Sequence, residues 1–199
     1  LNTHKASPEW LEQWDKYALR CAKSIDALTG FTEAVIAKEI AANLPEGSTL
    51  FVSSSRPIRD LEGFATPRSG VTTHANRGLA GIDGNISTAL GIALASKQTF
   101  AVLGDLSFLH DLTGLIHREE INCTFIVINN DGGGIFSTLP QRGVDGFESV
   151  FGTPHSLDPA AIAKAMGISA TTISSVDELK KTLKAPVKGI SIVVANVPS

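Results

Sequence analysis

The chain has 199 residues, of which 43% are hydrophobic and 19% are charged, so it is long and apolar enough to bury a sizeable core as one domain. This composition excludes an intrinsically disordered chain. Lys and Arg number 17 against 20 Asp and Glu, and the formal net charge of -3 lacks the basic excess of a nucleic-acid-binding protein. The longest strongly apolar run, residues 123–128, is far shorter than the roughly 20 residues of a membrane span.

The cysteines and the single methionine indicate where such a chain belongs. Cys21 and Cys123 form no CxxC pair and indicate no disulfide framework, which is typical of a reducing compartment, so we expect a cytoplasmic protein. The first residues lack the apolar core of a signal peptide. Met166 is the only methionine, and the sequence begins with Leu1. We therefore expect a fragment of a longer protein.

Two helices are predicted first in chain order. Residues 8–28 have an amphipathic pattern, with Ser7 as the cap, Pro8 at the first position and Glu9 near the positive end of the helix dipole. Thr32 caps a second predicted helix, which runs to about Asn43. A turn then separates these two helices from the rest of the chain.

Strand and helix patterns alternate from residue 49 onward. The apolar strands 99–103 and 123–128 lack strict alternation, which is typical of parallel strands covered on both faces. The pattern predicts an α/β fold, a doubly wound parallel sheet flanked by helices. The predicted elements are a strand over 49–53, a helix over 82–96, a strand over 99–103, a helix over 106–119, a strand over 123–128, a loop over 140–155, a helix over 159–166, a strand over 170–173, a helix over 176–183 and a strand over 189–195.

Polar residues follow two consecutive buried strands. Gly104 and Asp105 come directly after the strand 99–103, and Asn130 follows the strand 123–128. Ligands of doubly wound folds bind beyond the carboxyl ends of the strands. A carboxylate, an amide oxygen and the free carbonyls of a Gly-rich loop suit Mg²⁺ bound to a phosphate group. The structural alternative is a helix-capping aspartate beside an ordinary Asn-Asn-Asp-Gly turn.

These residues resemble the diphosphate and metal signature of thiamine diphosphate enzymes. In that signature Gly-Asp is followed by a helix, a strand and Asn-Asn, and here 22 residues lie between Leu106 and Asn129. Leu106 replaces the common second glycine of the family. Within these enzymes, four segments closely resemble the 2-succinyl-5-enolpyruvyl-6-hydroxy-3-cyclohexene-1-carboxylate synthases of menaquinone biosynthesis, with Ala75 in place of a serine. The segments are 75–84, 104–107, 129–136 and 151–155.

The resemblance covers the diphosphate-binding C-terminal domain of that family. It implies that residues 1–28 are a linker helix from a preceding domain and that residues 29–199 bind thiamine diphosphate with Mg²⁺ or Mn²⁺. The metal would be held by Asp105, Asn130 and the backbone carbonyl of Gly132. Ile82 would be the apolar wedge that bends the cofactor. The implied cofactor-binding residues are Ile82, Gly104, Asp105, Leu106, Ser107, Asn130, Gly132, Gly133 and Ile135.

The same resemblance implies a carboligase reaction, in which 2-oxoglutarate is decarboxylated and the resulting carbanion is added to isochorismate. Both substrates are anionic, and arginine pairs with both oxygens of a carboxylate. No catalytic residue is assigned in this chain, because the activating glutamate belongs to the absent N-terminal domain. The expected partners are that domain and a second subunit of a homo-oligomer, and we expect the fragment alone to be inactive. The implied substrate-binding residues are Ser55, Arg59, Asn76, Arg77, Phe136 and Leu139.

Two alternatives stay open at this point. One is another thiamine diphosphate enzyme, such as a 2-oxoacid decarboxylase or an acetolactate synthase, which would not need the segment around Arg77. The other is a non-catalytic docking module with the same fold, since fold alone does not fix function.

Overall fold

The computed structural model describes residue 5, residues 7–116 and residues 120–198. The chain forms two compact units, the first ending at Gly30 and the second beginning at Phe31. The first unit contains the helix α1 (Pro8–Asp26), of which no residue is buried. Among the helices of the described residues, none is long and apolar enough to cross a membrane.

The second unit alternates between strands and helices. Thr32 caps α2 by accepting from the Val35 amide, and Asp158 caps α6 by accepting from the Ala160 and Ala161 amides. Its helices and strands are α2 (Glu33–Asn43), β1 (Ser48–Val52), α3 (Arg56–Phe64), β2 (Val71–Ala75), α4 (Asn85–Ala93), β3 (Thr99–Gly104), α5 (Asp105–His110), β4 (Cys123–Asn129), α6 (Pro159–Ala165), β5 (Ser169–Ile173), α7 (Val176–Lys184) and β6 (Ile190–Asn196).

In the part of the chain that the structure describes, six strands form one sheet in the order β2-β1-β3-β4-β6-β5. All neighbouring strands are parallel. The register is continuous across the centre, where Val52 pairs with Val102 and Val102 pairs with Ile126. The predicted parallel sheet is therefore confirmed.

Successive residues of the central strands pack into different layers. On β3, Ala101 and Leu103 belong to a core cluster with residues of α4, α5 and α6, whereas Phe100 and Val102 belong to a second cluster with residues of α2 and α7. Side chains alternate between the faces of a strand, so both faces of β3 are covered by helices. This doubly wound arrangement explains why the sequence of β3 is uniformly apolar.

The structure contains one helix and one strand that the sequence pattern did not predict. Helix α3 is short and largely polar, and its buried residues are Pro57 and Asp60. Strand β2 lies at the edge of the sheet, and its three central residues are exposed. Strand β2 lacks apolar alternation, and the apolar residues of α3, which are Ile58, Leu61 and Phe64, span only a short stretch.

Two predicted helices were too long. The helix predicted over 82–96 begins at Asn85, because Gly84 has a left-handed φ of 66°, and it ends at Ala93. The helix predicted over 106–119 ends at His110, and a 3₁₀ turn, Leu112–Leu115, follows it. Residues 117–119 lie outside the described residues. The predicted loop over 140–155 includes one short turn of π-helix, Glu148–Gly152.

Candidate functional site

The strand order brings three connections together at the carboxyl-terminal end of the sheet. The chain passes from β1 outward to β2 and then crosses back over β1 to β3, so the order reverses between β1 and β3. In doubly wound sheets this reversal opens a crevice at the carboxyl ends of the strands. The loops that follow β1, β3 and β4 meet there. Ser55 and Asn130 lie in the loops after β1 and β4, and Asp105 is the first residue of α5, directly after β3.

A cavity of about 160 Å³ occupies this crevice. A wider groove of about 1020 Å³ shares part of its lining, including Glu33, Asn130 and Gly132. Residues from all three loops contribute to the cavity wall. Among the predicted site residues, those that line the cavity are Ser55, Ile82, Gly104, Asp105, Leu106, Ser107, Asn130, Gly132, Gly133, Ile135 and Phe136.

The Asp105 side chain joins the end of β3 to the loop that follows β4. The residue is 2% exposed. Its Oδ1 accepts from the Leu106 amide at 2.7 Å, and its Oδ2 accepts from the Gly132 amide at 2.8 Å. A ring nitrogen of His155 lies 3.2 Å from the same Oδ2. Hydrogen bonds therefore hold both oxygens of this buried carboxylate.

The amide of Asn130 is oriented by a carboxylate from another element. Its Nδ2 donates to Oε1 of Glu33, at the start of α2, over 3.2 Å. Because a carboxylate only accepts hydrogen bonds, the nitrogen of the amide must face Glu33. The oxygen Oδ1 is thereby left as the atom that Asn130 can offer to a cation.

Glycines border the cavity at the end of β3 and in the loop after β4, and the structural reasons for them differ. Gly132 has a φ of 136°, and a Cβ there would collide with the backbone oxygen of Gly152. A Cβ on Gly133 would collide with the backbone oxygen of Phe151. Gly104 is different, since its φ is -78° and a Cβ would meet no protein atom within 4 Å. Neither strain nor packing requires glycine at position 104, where the backbone borders the open cavity.

Ile82 is tied to the end of β3 by a buried polar link. Its carbonyl accepts from Oγ of Ser107 at 3.0 Å, and Ser107 in turn accepts from Nδ2 of Asn85 at 3.1 Å. Asn85 is fully buried, and its Oδ1 has no hydrogen-bond partner among the described residues. The segment before α4 is thus fixed relative to the loop that carries Asp105.

Four predicted substrate residues do not line this cavity: Arg59, Asn76, Arg77 and Leu139. The exposed Arg59 side chain donates from Nη1 to the Ser55 carbonyl at 2.6 Å, and Asn76 donates to Oγ1 of Thr88 at 3.2 Å. Arg77 and Leu139 are exposed. Of the predicted substrate-binding residues, Ser55 and Phe136 therefore line the cavity, and the two arginines lie outside its lining.

The sequence analysis missed several polar residues around the cavity. Arg56 and Asp60 form a two-pronged ion pair, with Nη2 to Oδ1 at 3.1 Å and Nε to Oδ2 at 3.2 Å. Burial raises the pKa of the Asp60 carboxyl above its ordinary value, and the bonded Arg56 opposes part of that rise. Their spacing of four residues would have indicated the pair once α3 was predicted. Glu33 and His155 also went unassigned.

The donor set at this site suits a hard cation. Within residues 7–116 and 120–198, no group of three or more His, Cys, Asp or Glu side chains is placed to hold a metal ion. The available ligands are instead a carboxylate, an amide oxygen and backbone carbonyls. Oxygen ligands of this kind favour Mg²⁺ or Mn²⁺ over Zn²⁺, and phosphate oxygens commonly complete such a site.

Comparison with known proteins agrees with this geometry. Residues 59–197 match the family described as "Thiamine pyrophosphate enzyme, C-terminal TPP binding domain". The chain belongs to this family. Thiamine pyrophosphate is another name for thiamine diphosphate, so this is the family that the Gly-Asp and Asn-Asn segments resemble.

Individual relatives are longer than this chain. The chain is 44% identical over 167 residues to a 2-succinyl-5-enolpyruvyl-6-hydroxy-3-cyclohexene-1-carboxylate synthase of Thermobifida fusca, covering 80% of this chain and 30% of the relative. It is 43% identical over 192 residues to a synthase of the same name from Bacillus cytotoxicus, covering 92% of this chain and 32% of the relative. The chain thus spans about a third of the length of these relatives.

A solved structure shows the same fold. The benzoylformate decarboxylase of Polynucleobacter necessarius superimposes with a TM-score of 0.67 at 20% identity, covering 83% of this chain and 33% of that one. At this identity the likeness concerns the fold alone.

Proposed function

We propose that this chain is the diphosphate- and metal-binding part of a thiamine diphosphate-dependent carboligase. The reaction decarboxylates 2-oxoglutarate and adds the resulting carbanion to isochorismate, as a step of menaquinone biosynthesis in the cytoplasm. The observation that carries the metal-binding part is the convergence of Asp105 and Asn130 on one cavity at the strand-order reversal. The names of the relatives and the segment 75–84 support the choice of substrates.

The residues present fit the cofactor and its cation. Asp105, Asn130 and the carbonyl of Gly132 would hold Mg²⁺ or Mn²⁺ and so would offset the negative charge of the diphosphate. The open space beside Gly104 would admit a ligand close to the backbone. Leu106, Ser107 and Gly133 would approach the diphosphate. When bound, thiamine diphosphate would supply the electron sink that decarboxylation of a 2-oxoacid needs.

Apolar residues of this chain would shape the reacting end of the site. Ile82, Ile135 and Phe136 line the cavity and are partly buried. Ile82 would press on the bound cofactor from the segment that Ser107 holds in place. Such a wall excludes water, which strengthens local electrostatic interactions and keeps protons from a carbanion.

The substrate-binding role of the remaining residues is also part of the proposal. Ser55 faces the cavity, and Arg59 lies one helical turn beyond it with its guanidinium on the Ser55 carbonyl. Arg59 and Arg77 would pair with substrate carboxylates, with Asn76 and Leu139 beside them. Both arginines are exposed, and the guanidinium of Arg59 keeps donors besides the one on the Ser55 carbonyl, so both side chains could meet an incoming anion.

Other parts of the protein would complete the site. An activating glutamate would come from the N-terminal domain of a partner subunit in a homo-oligomer, since the family resemblance assigns that role to no residue of this chain. We therefore expect residues 1–199 alone to show no turnover. Measurable product from this fragment would contradict that expectation.

The metal assignment is tested by substituting Asp105 in the intact protein. Without its carboxylate, the diphosphate charge would meet the site with a weakly held cation, so Asp105→Ala should abolish Mg²⁺-dependent binding of thiamine diphosphate in isothermal titration calorimetry. Asp177→Ala, at an exposed position of α7, is the matched control and should bind normally. Normal cofactor binding by Asp105→Ala would refute the assignment. Assays with isochorismate against pyruvate as acceptor then test the substrate choice.

A further inference from the structure

Residues 151–155 have no role in the proposed reaction, yet they pack directly against the loop that carries Asn130. The Gly133 amide donates to the Gly152 carbonyl at 2.7 Å. Oδ1 of Asp131 accepts from the His155 amide at 3.1 Å and from the Ser156 amide at 2.7 Å. These bonds fix the backbone of His155 relative to the loop after β4.

The hydrogen bonds of the His155 ring determine which nitrogen carries the proton. The Leu157 amide donates to Nδ1 over 3.0 Å, so Nδ1 is an acceptor and carries no hydrogen. The ring hydrogen is therefore on Nε2, which lies 3.2 Å from Oδ2 of Asp105. Asp131 Oδ1, at 3.5 Å from Nδ1, is already engaged by the two backbone amides. The His155 ring thus donates one hydrogen bond, and its acceptor is Oδ2 of Asp105.

This bond determines which part of the Asp105 carboxylate is available to a cation. Oδ2 accepts from both the Gly132 amide and the His155 ring, while Oδ1 accepts from the Leu106 amide alone. A carboxylate oxygen has two lone pairs, so the free one is on Oδ1. The side chains are 11% exposed for His155 and 3% exposed for Asp105, so water competes little for these bonds.

We propose that His155 is a positioning residue that holds the Asp105 carboxylate in the orientation in which Oδ1 meets the divalent cation. This inference rests on the proposed function, because it assumes that Asp105 is a metal ligand. Groups that hydrogen-bond to a metal ligand fix its orientation, and their loss weakens metal binding by about 10- to 100-fold. Removal of the His155 donor would leave the Asp105 carboxylate held by two backbone amides alone, so its orientation toward the cation would be less restrained.

The experiment measures Mn²⁺ binding to the intact protein with saturating thiamine diphosphate, using the electron paramagnetic resonance signal of free Mn²⁺. His155→Phe keeps a ring and removes the donor, and it should raise the Mn²⁺ dissociation constant about 10- to 100-fold. His155→Gln extends an amide nitrogen toward the position of Nε2 and should restore most of the affinity. His155→Asn, whose shorter amide reaches only the position of Nδ1, should bind as weakly as the Phe variant. Thermal melting of each variant checks that it is folded, and the Gln and Asn pair decides the test if the Phe variant does not fold.

The outcomes separate this inference from the proposed function. If Asp105→Ala binds Mn²⁺ as the wild type does, Asp105 is no metal ligand and the proposed function fails. If Asp105→Ala loses Mn²⁺ but His155→Phe and His155→Asn bind normally, the positioning role of His155 is refuted and the proposed function stands. Equal loss in the folded Gln and Asn variants would also refute it, because the hydrogen bond to Asp105 would then be irrelevant.

Discussion

Arg56 and Asp60 form an ion pair in the wall of the cavity, in which the carboxylate is buried and the guanidinium is partly exposed. Burial raises the pKa of the Asp60 carboxyl, and the nearby charge of Glu33 raises it further, while Arg56 lowers it. A carboxyl with a raised pKa binds its proton more tightly in the folded state than in the unfolded chain. Its contribution to stability is therefore fully present below the ordinary value of 3.8 and is lost as the pH rises through the folded pKa.

Asp60→Asn should remove this pH dependence. The melting temperature of the variant relative to the wild type should rise as the pH is raised above the carboxyl's ordinary pKa of 3.8. Calorimetry of the intact protein in steps over about four pH units above that value follows the change. Arg56→Gln is the matched variant, because it removes the group that lowers the pKa and should move the transition of Asp60 to higher pH. A difference between Asp60→Asn and wild type that is independent of pH would show that Asp60 does not titrate as described.

Arg77 is the residue on which the proposed choice of isochorismate can be tested. A charge-assisted pair with a substrate carboxylate contributes about 2–3 kcal/mol, so Arg77→Ala should lower kcat/KM roughly 30- to 150-fold. The Michaelis constant for isochorismate should rise while the affinity for thiamine diphosphate stays unchanged. Arg68→Ala is a control, because Arg68 donates to the carbonyls of Ala41 and Leu44 at the C-terminal end of α2.

Two other results for Arg77 would contradict the proposal. Loss of cofactor binding would place Arg77 at the diphosphate instead of the substrate. Unchanged kinetics would identify it as a surface residue of the loop after β2.

Sequence spacing could predict Asp105 and Asn130 because each directly follows a buried strand. It could not predict the residues that hold them. Glu33 bonds Asn130 across 97 positions of the chain, and His155 bonds Asp105 across 50. These contacts exist only because the start of α2 and the segment before α6 both lie at the carboxyl-terminal end of the sheet. Arg59 and Arg77, assigned by resemblance alone, stay predictions.

At the level of the elements, α4 depends on a cap supplied by another part of the chain. Its N-cap residue, Gly84, has no side chain to accept from the first helical amides. Oδ2 of Asp111, which follows α5, accepts from the Ile86 amide at 2.7 Å and from the Ser87 amide at 3.1 Å. The negative charge also lies at the positive end of the α4 dipole.

Asp111→Ala should therefore destabilise the domain by about 1–2 kcal/mol, since the cap and its favourable charge are lost together. Asp111→Asn keeps an oxygen acceptor without the charge and should lose less. Urea unfolding of the intact protein measures both. A loss for Asp111→Ala no larger than that for the exposed Asp177→Ala would exclude a capping role.

The same aspartate explains why the predicted helix over 106–119 was too long. Its sequence continues to favour a helix after His110, but the Asp111 backbone turns, with a φ of -112° and a ψ of 25°, while its side chain reaches α4. Gly114 then passes close to Ser87 and Ile86, where a Cβ would approach Oγ of Ser87 to 2.7 Å. Tertiary contacts decided this boundary, and local patterns do not contain them.

At the scale of the molecule, the buried central strands could be predicted from the sequence, whereas the exposed edge strand β2 could not. The uniformly apolar β3 and β4 lie at the centre of the sheet, with helices on both faces. Edge strand β2 follows a polar sequence whose pairing with β1 comes from the fold as a whole. Sheet order, and with it the position of the cavity, depends on that pairing.

Asp105 and Asn130 adjoin the two central strands, and this has a consequence for hydrogen exchange. Amides of β3 and β4 should exchange mainly through global unfolding, because residues 99–103 and 123–128 are buried throughout. A ligand that binds only the folded state adds RT ln(1 + [L]/Kd) to stability, about 2.7 kcal/mol at 100 times Kd. Thiamine diphosphate with Mg²⁺ at that excess should slow exchange in β3 and β4 by about 100-fold, as measured by mass spectrometry. Slowing confined to the loops after these strands would show instead that the strands open locally. Ligand binding at the cavity would then not protect the amides at the centre of the sheet.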